Sequence, residues 1–392
     1  MEIYTYILNT VLLFTVFLLI YPILIYPGLL SVISNFYKRR INTKKEYEPE
    51  ISVLIAAYNE EELIEGCIRS VMNSDYPSEK LNVYVGSDGS DDNTNAIVAQ
   101  LSSEFTNLKL IEFPRSGKNK VLNQLVPHAK GSVYYFMDAD VKIKKDTIKR
   151  LNEYLSDPEI GAAVSALNII SDGIINNAGT HGETVYQKYE SMLRVNESSI
   201  ESNINSLGAF YGVKAENFKL FPSDKVCDDL FNVFAVILDK KRVIFDNSIV
   251  VDEVRTKSIG QEFNRKVRVV SGGLSTVSAS AELLTPKYGW SAFFLWSHKI
   301  LRWMSPIFLI LLFVLTFPVP VDSTIRIVLL YLQIIAYGSA LTGYILDKLD
   351  VSIPYFRLAY FYVSMNVAFL MGIFRFLSGK QNSSWNREGL DD

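Results

Sequence analysis

Two pairs of carboxylates are the side chains of this 392-residue chain that are best placed to do chemistry. Asp138 and Asp140 follow an apolar run, Val133–Met137, and two carboxylates at the end of a strand can direct oxygen ligands at a divalent cation. The alternative for this pair is a solvated acidic turn. Asp228 and Asp229 precede a helical apolar face, where one of them can cap the helix and the other is a candidate general base. The sequence therefore predicts a metal site and a proton acceptor.

Polar residues also follow the earlier apolar runs of the chain. Asn59 and Glu60 come after the first run, and Asp88 ends the second, where its carboxylate can accept hydrogen bonds from a base or a sugar. Asp92, a little further on, is expected to cap the next helix. Lys118 opens another helix and either pairs with an anion or is a surface lysine.

A basic stretch, 261–268, reads as a helix and contains Lys266 and Arg268. Either cation can neutralise a diphosphate. The alternative is a basic face that meets lipid headgroups, and the two roles are compatible.

These residues are positioned by apolar strands that alternate with amphipathic helices. The expected strands are Ile51–Ala57, Leu81–Val85, Leu108–Glu112 and Ser132–Met137. The expected helices between and after them begin near Leu63, Asn93 and Lys118. This alternation predicts an α/β fold with a parallel sheet, and ligands of such sheets bind beyond the carboxyl ends of the strands. The polar clusters lie at those ends.

Composition and motifs exclude several other classes. The net charge of −3 argues against a nucleic-acid partner bound through bulk charge, so no nucleic acid is expected. Two cysteines and three histidines leave few candidates for a disulfide framework, a zinc site or a Ser/His/Asp triad. The phosphate-binding loops G-x-x-x-x-G-K-[ST] and G-x-G-x-x-G are absent from the sequence.

Long uncharged runs at both ends predict an integral membrane protein. The first run, 3–37, lies between Glu2 and the basic residues 38–40, which favours a retained anchor with its basic end in the cytoplasm over a cleaved signal peptide. Three more runs, 303–321, 327–346 and 358–374, are expected to span the membrane. Four spans would leave the basic C-terminal region outside the cell. Two alternatives therefore remain open: one run is re-entrant or surface-lying, or the first segment holds more than one crossing.

The predicted organisation has five parts. They are an anchor over 1–37, a cytosolic domain over 48–286, an interfacial amphipathic helix over 287–302, about three membrane helices over 303–377, and a polar tail over 378–392. The interfacial segment mixes aromatic and basic residues, and it reads either as a membrane-surface helix or as the first turns of the next span.

Taken together, the motifs resemble those of the membrane-bound family-2 glycosyltransferases, the group that contains cellulose, hyaluronan and chitin synthases. The matching pieces occur in family order: SVLIAAYNEE, VGSDGSDDNT, RSGKNKVLN, YYFMDAD, CDDLF, EFNRKVRV and WSHKILRW. The resemblance implies a GT-A (Rossmann-like) nucleotide-sugar-binding domain on the cytoplasmic face. It also implies a nucleotide-diphosphate sugar donor and a divalent cation, Mn²⁺ or Mg²⁺.

The resemblance also implies roles for single residues. Asp88 is similar to the aspartate that contacts a uracil-type base, which favours a UDP-sugar. Asp138 and Asp140 match the D-x-D, with Asp140 the main metal ligand, and Asp229 matches the base that deprotonates the acceptor hydroxyl. Arg268 matches the arginine of Q-[QR]-x-R-W, but Val269 replaces the tryptophan that stacks on the acceptor in the synthases.

The resulting expectation is an inverting transferase that moves a sugar to a hydroxyl of a glycan or lipid-linked acceptor in polysaccharide or cell-surface glycan synthesis, with export or assembly subunits as further partners. The alternatives are a polyprenyl-phosphate sugar transferase and a non-catalytic membrane scaffold.

Overall fold

A computed structural model describes residues 2–170, 178–205, 208–222, 227–254, 259–316, 324–349, 351 and 353–379. Parts of two expected segments, 317–321 of the first C-terminal span and 380–392 of the tail, lie outside these residues.

Helices occupy both ends of the chain and alternate with strands between them. The helices are α1 (Glu2–Ile20), α2 (Tyr26–Phe36), α3 (Ile64–Met72), α4 (Thr94–Glu104), α5 (Lys118–Leu125), α6 (Thr147–Leu155), α7 (Ala178–Ile200), α8 (Asp228–Leu238), α9 (Ile259–Ala279), α10 (Gly289–Phe294), α11 (Leu301–Trp303), α12 (Ser305–Thr316), α13 (Thr324–Lys348) and α14 (Pro354–Leu377). Single π-helical stretches, Tyr21–Ile25 and Leu295–Ile300, join α1 to α2 and α10 to α11. Short 3₁₀ turns lie at Ser78–Lys80, Val126–His128, Ala215–Asn217, Ala281–Leu284 and Pro286–Tyr288.

The described strands form one eight-stranded mixed sheet. They are β1 (Ile51–Ala57), β2 (Leu81–Asp88), β3 (Leu108–Phe113), β4 (Val133–Asp138), β5 (Val141–Lys142), β6 (Ile160–Ile170), β7 (Phe210–Lys214) and β8 (Arg242–Val254), in the spatial order β3-β2-β1-β4-β7-β6-β8-β5. The first four strands in this order are parallel, as expected, but β7 runs antiparallel to both β4 and β6. β6 and β8 are also parallel to each other, and β5 is antiparallel to β8. The prediction of a parallel sheet was therefore correct except at β7 and β5.

The register of the parallel strands brings the polar strand ends together. Ala56 pairs with both Gly86 on β2 and Asp138 on β4, so the three strands end at almost the same level. Residues that follow β1, β2 and β4 are therefore neighbours at one edge of the sheet.

Apolar side chains cover both faces of the sheet. One cluster contains alternate residues of β1 and packs under α3, α4 and α6. The other includes Leu54 and Phe136 from the sheet, together with Tyr26 of α2 and Trp303 of α11. The membrane-proximal helices and the sheet thus share one continuous core.

Three helical stretches in the described part of the chain are long and apolar enough to cross a membrane, namely Tyr6–Phe36, Arg326–Lys348 and Pro354–Leu377. A fourth candidate is a pair of helical segments, Pro286–Trp303 and Ser305–Thr316, with a 56° bend between them. Such a bend fits a broken span or a re-entrant segment, which is one of the alternatives left open by the charge pattern.

Candidate functional site

Lys118 joins the two predicted acidic pairs. Its ammonium nitrogen Nζ lies 2.7 Å from Oδ1 of Asp138 at the end of β4 and 2.9 Å from Oδ2 of Asp228 at the start of α8. Desolvation lowers the pKa of Lys118, but the two carboxylates outweigh it and hold the pKa well above its usual value. Lys118 is therefore a charged bridge rather than an isolated surface lysine.

Asp229 is the partly buried neighbour of this bridge. Its Oδ1 accepts a hydrogen bond from the backbone N–H of Leu230 at 2.8 Å. Burial, with the charge of Asp228 next to it, raises the pKa of Asp229 to about 7, although Lys118 opposes the shift. A carboxylate with a pKa near neutrality is well matched to general base catalysis at physiological pH.

Asp140 follows β4 in the short turn before β5, and its charge acts on Cys67 of α3. Burial raises the pKa of the Cys67 thiol, and the charges of Asp140, Asp138 and Glu60 raise it further. Several carboxylates therefore surround this end of β4. In the described residues, however, no group of three or more His, Cys, Asp or Glu side chains is arranged to hold a metal ion by itself.

The Asp88 carboxylate is fully buried and is held by the loop before α5. Arg115 forms an ion pair with it, and the backbone N–H groups of Ser116 and Gly117 donate to it at 2.6 and 3.0 Å. The guanidinium of Arg115 also stacks on the Tyr58 ring, 3.3 Å from its centroid. The structure thus places Asp88 where it orders the loop that carries Lys118.

Asn59 and Glu60 form the turn after β1. Asn59 has a positive φ of 54°, which Asn tolerates better than most residues, and its side-chain amide donates to Asp91 at 2.6 Å. The backbone N–H of Glu60 donates to the hydroxyl of Thr94 at 2.8 Å. The Asp92 carboxylate accepts from the N–H of Thr94 at 2.9 Å, which agrees with its expected role at the start of α4.

Lys266 and Arg268 lie on α9 but differ in exposure. Lys266 is 7% exposed and its Nζ lies 3.2 Å from Glu262, whereas Arg268 is exposed. The thiol of Cys227, directly before the acidic pair, lies 4.0 Å from the Val269 carbonyl. The basic stretch is therefore adjacent to the start of α8.

A buried charge network is a feature that the sequence did not predict. Glu197 of α7 accepts from the Tyr26 hydroxyl at 2.7 Å and bonds to Nδ1 of His298 at 2.6 Å. Glu190, two helical turns earlier on α7, lies 3.1 Å from Nε2 of His298 and pairs with Arg302. The basic residues of the predicted interfacial segment thus point inward to α7. Their charge predicted that they would be exposed to solvent, and nothing in the neighbouring sequence indicates that they are buried.

Comparison with known proteins identifies the class. Residues 52–214 match Glycosyl transferase family 2. A structural match covers 95% of this chain and 100% of the mannosyltransferase PcManGT from Pyrobaculum calidifontis, solved in complex with GDP-Man and Mn²⁺, with a TM-score of 0.73 and 21% identity. The fold is GT-A, and residues 52–214 are similar to the family-2 glycosyltransferases.

Curated relatives match over shorter stretches. The beta-monoglucosyldiacylglycerol synthase of Synechocystis sp. is 29% identical over 34% of this chain and 28% of its own length. The poly-beta-1,6-N-acetyl-D-glucosamine synthase of Staphylococcus epidermidis is 23% identical over 60% of this chain and 58% of its own length. The chain thus spans less than two thirds of each of these two relatives.

Proposed function

We propose that the chain is an inverting glycosyltransferase that moves a sugar from a nucleotide-diphosphate sugar to a hydroxyl of a glycan or lipid-linked acceptor at a membrane. The observation that carries this proposal is Asp229, whose pKa is raised to about 7 beside the Lys118 bridge. The two curated relatives support it, because their names describe a glycolipid product and a glycan product.

Asp229 is proposed as the general base. Its carboxylate takes the proton of the acceptor hydroxyl while that oxygen forms a bond to the anomeric carbon. The bond between the anomeric carbon and the diphosphate oxygen breaks at the same time, and its electron pair leaves with the nucleoside diphosphate. Attack from the face opposite the leaving group inverts the anomeric configuration.

The carboxylates at the end of β4 fit a divalent cation. Asp138 and Asp140 supply only oxygen donors, and one or two carboxylates suffice for Mg²⁺ or Mn²⁺ when substrate phosphates and water complete the shell. When bound, the cation would neutralise charge on the departing diphosphate. Lys118, already 2.7 Å from Asp138, would remain beside the diphosphate as a further positive charge.

The remaining predicted residues are proposed to hold the donor. Asp88 keeps the loop 115–117 in place below the nucleotide, and Asn59 and Glu60 shape the turn after β1. Lys266 and Arg268 supply positive charge from the α9 side. A uridine nucleotide is the favoured donor, and divalent-cation dependence is expected.

The membrane arrangement is proposed from charge and length. The candidate spans support a multi-pass protein in the cell membrane, and the basic residues 38–40 after the first span support a cytoplasmic catalytic domain. The domain boundaries predicted from the sequence, 48–286 for the cytosolic part, remain part of this proposal.

The test is nucleotide release from a panel of UDP- and GDP-sugars by the detergent-purified full chain, with Mn²⁺, with Mg²⁺ and with chelator. Asp229→Asn is expected to lower kcat by at least about 1,000-fold while donor affinity changes little, because the base acts only during transfer. Asp239→Asn, at the other end of α8, is the matched control and should retain normal turnover.

Normal turnover with weakened donor binding in Asp229→Asn would contradict its assignment as the base. Asp140→Ala should reduce the cation dependence of donor binding, and an unchanged dependence would remove Asp140 from the metal site. A wild-type protein that binds no donor of the panel would overturn the proposed function.

A further inference from the structure

Arg194 of α7 is a buried cation that the proposed reaction does not use. It is 1% exposed, and its guanidinium stacks on the Phe245 ring of β8, 3.8 Å from the ring centroid. Burial lowers its pKa to about 10, although the charges of Glu190, Glu197 and Asp229 oppose the shift. The side chain is therefore still a cation at neutral pH, and a buried cation needs fixed hydrogen-bond partners.

The partners of Arg194 lie in the segment that leads into β7. Its Nε donates to Oδ1 of Asn203 at 3.2 Å, and its Nη2 donates to the carbonyl oxygen of Asn205 at 3.0 Å. The same Oδ1 accepts from the backbone N–H of Asn205 at 3.2 Å, so the two asparagines and the guanidinium form one hydrogen-bonded unit. The backbone N–H of Asn203 donates to the Val243 carbonyl on β8 at 2.8 Å. The guanidinium thus fixes the backbone at residues 203–205.

The other end of this segment lies against the proposed base. Gly208 comes three residues after Asn205, so the Cα atoms of the two residues are at most about 11 Å apart. A β-carbon at Gly208 would collide with Oδ2 of Asp229, which shows that the carboxylate is in close contact with the backbone there. The position of the segment therefore limits the position of the base.

The donor side of the site is held by other bonds. The carbonyl of Ala209 accepts from the backbone N–H of Asp138 at 3.2 Å, and Phe210 pairs with Met137 in the sheet. These bonds continue the pairing of β4 with β7 and do not involve Arg194. Loss of Arg194 is therefore expected to disturb the base while the proposed metal ligand Asp138 stays in place.

We propose that Arg194 is a positioning residue for glycosyl transfer, which holds residues 203–205 so that Gly208 keeps the carboxylate of Asp229 aligned with the acceptor hydroxyl. This inference rests on the proposed function, because it requires Asp229 as the base. Arg194 acts through the segment before β7 and not on the reacting atoms. Its guanidinium makes two hydrogen bonds in fixed directions, which a lysine ammonium reproduces only in part.

The experiment compares Arg194→Met with Arg242→Met in the detergent-purified full chain. Arg242 is the matched control, because it is also 1% exposed and donates to three backbone carbonyls, those of Arg40, Ser198 and Glu201. Both variants should have a lower melting temperature than the wild type. Only Arg194→Met should lower kcat for nucleotide release per folded protein, by about 10- to 100-fold, because a small displacement of the base disrupts its alignment. Its donor affinity should stay within about twofold of the wild type.

Two further variants separate alignment of the base from stability of the fold. Arg194→Lys keeps the positive charge and part of the hydrogen bonding, so its kcat should stay within about tenfold of the wild type. The double variant Arg194→Met with Gly208→Ala should have a kcat no more than about threefold below that of the less active single variant, because both changes displace the same carboxylate. Losses with independent causes would multiply instead.

Three results would each overturn the inference: a normal kcat in Arg194→Met, equal losses of kcat in Arg194→Met and Arg242→Met, or losses that multiply in the double variant. If Arg194→Met does not fold, Asn203→Ala takes its place, since this change removes the oxygen that accepts from Nε of Arg194. A kcat about tenfold below the wild type with unchanged donor affinity is expected for Asn203→Ala, and a normal kcat overturns the inference.

Failure of the inference is distinguishable from failure of the proposed function. An Asp229→Asn variant with normal turnover would contradict the proposed base, and with it the role of Arg194. An inactive Asp229→Asn variant together with a fully active Arg194→Met variant would contradict the role of Arg194 alone.

Discussion

Gly208 lies directly against the carboxylate of Asp229, so that a β-carbon at position 208 would fall 2.9 Å from Oδ2. Gly208 also has a φ of +72°, a conformation that side chains rarely adopt. Glycine is therefore required at this position for two reasons: the backbone has a positive φ, and the carboxylate of Asp229 leaves no space for a side chain. Gly208 comes just before β7, so its contact with Asp229 brings the start of α8 next to the sheet.

We predict that Gly208→Ala lowers kcat about 10- to 100-fold, because a displaced base loses its alignment with the acceptor hydroxyl. Donor affinity should change much less. The measurement is steady-state nucleotide release with the donor found in the panel. Gly338→Ala on α13 is the control, because nothing lies within 4 Å of a β-carbon at that glycine. Equal kcat values for Gly208→Ala and the wild type would contradict the close contact.

The raised pKa of Asp229 also predicts a pH-dependent stability. Its folded-state pKa of about 7 lies above the ordinary value of 3.8, so that the folded protein binds more protons than the unfolded chain between about pH 4 and pH 7. The contribution of Asp229 to stability therefore falls as the pH rises through this window. Asp228 and Asp138 raise this pKa, and Lys118 lowers it.

The Asp229→Asn variant cannot ionise at this position. The melting temperature of the variant minus that of the wild type should therefore be larger at pH 8 than at pH 5, by about 2 °C or more. Thermal unfolding in detergent at the two pH values measures this difference. Asp239→Asn should show little change at either pH, because the 3.2 Å pair between Asp239 and Lys219 is partly exposed to solvent. If the difference in melting temperature between the variant and the wild type became smaller as the pH rises, ionised Asp229 would not destabilise the fold, and its raised pKa would be refuted.

Lys118 is expected to compete with the cation. Its ammonium lies 2.7 Å from Asp138 and thus occupies one of the proposed metal ligands before the donor arrives. Lys118→Gln should therefore bind Mn²⁺ about tenfold more tightly without donor, as measured by electron paramagnetic resonance of free Mn²⁺. Lys120→Gln, at an exposed position on the same helix, is the control. Weaker Mn²⁺ binding in Lys118→Gln would mean that the lysine does not share its carboxylate with the metal.

Local sequence patterns predicted β1 to β4 well, because these buried strands are short apolar runs bounded by polar residues. β2 shows the limit of this approach. It was expected to end at Val85 but continues to Asp88, since β1 and β3 on either side supply partners for Gly86 and Ser87. These residues have low strand propensity, and only the neighbouring strands keep them extended.

The strands after β4 were not assigned from the sequence. β7 is a five-residue strand, Phe210–Lys214, whose direction depends on pairing with β4 and β6, which are distant in the sequence. Pairing of this kind is set by tertiary packing and leaves no periodic signal of its own.

The same reasoning applies to the site. The carboxylates of Asp138 and Asp228 were each found from their position at the end of a strand or the start of a helix. That Lys118 bridges them could not be read from spacing, because the three residues belong to different elements. His298 and Lys299 were expected at a membrane surface because charged residues are rarely buried, whereas α7 supplies buried carboxylates nearby.

The network around Glu197 also has a consequence for biosynthesis. Its two partners, Tyr26 and His298, come from opposite ends of the chain, and all three side chains are buried. During translation, Glu197 cannot complete these bonds until the segment with His298 has left the ribosome. A protein shortened to residues 48–286 would lack both partners and would expose the apolar face that Tyr26 and Trp303 cover. The anchors and the transferase domain are therefore expected to mature together, as a single late step of assembly at the membrane.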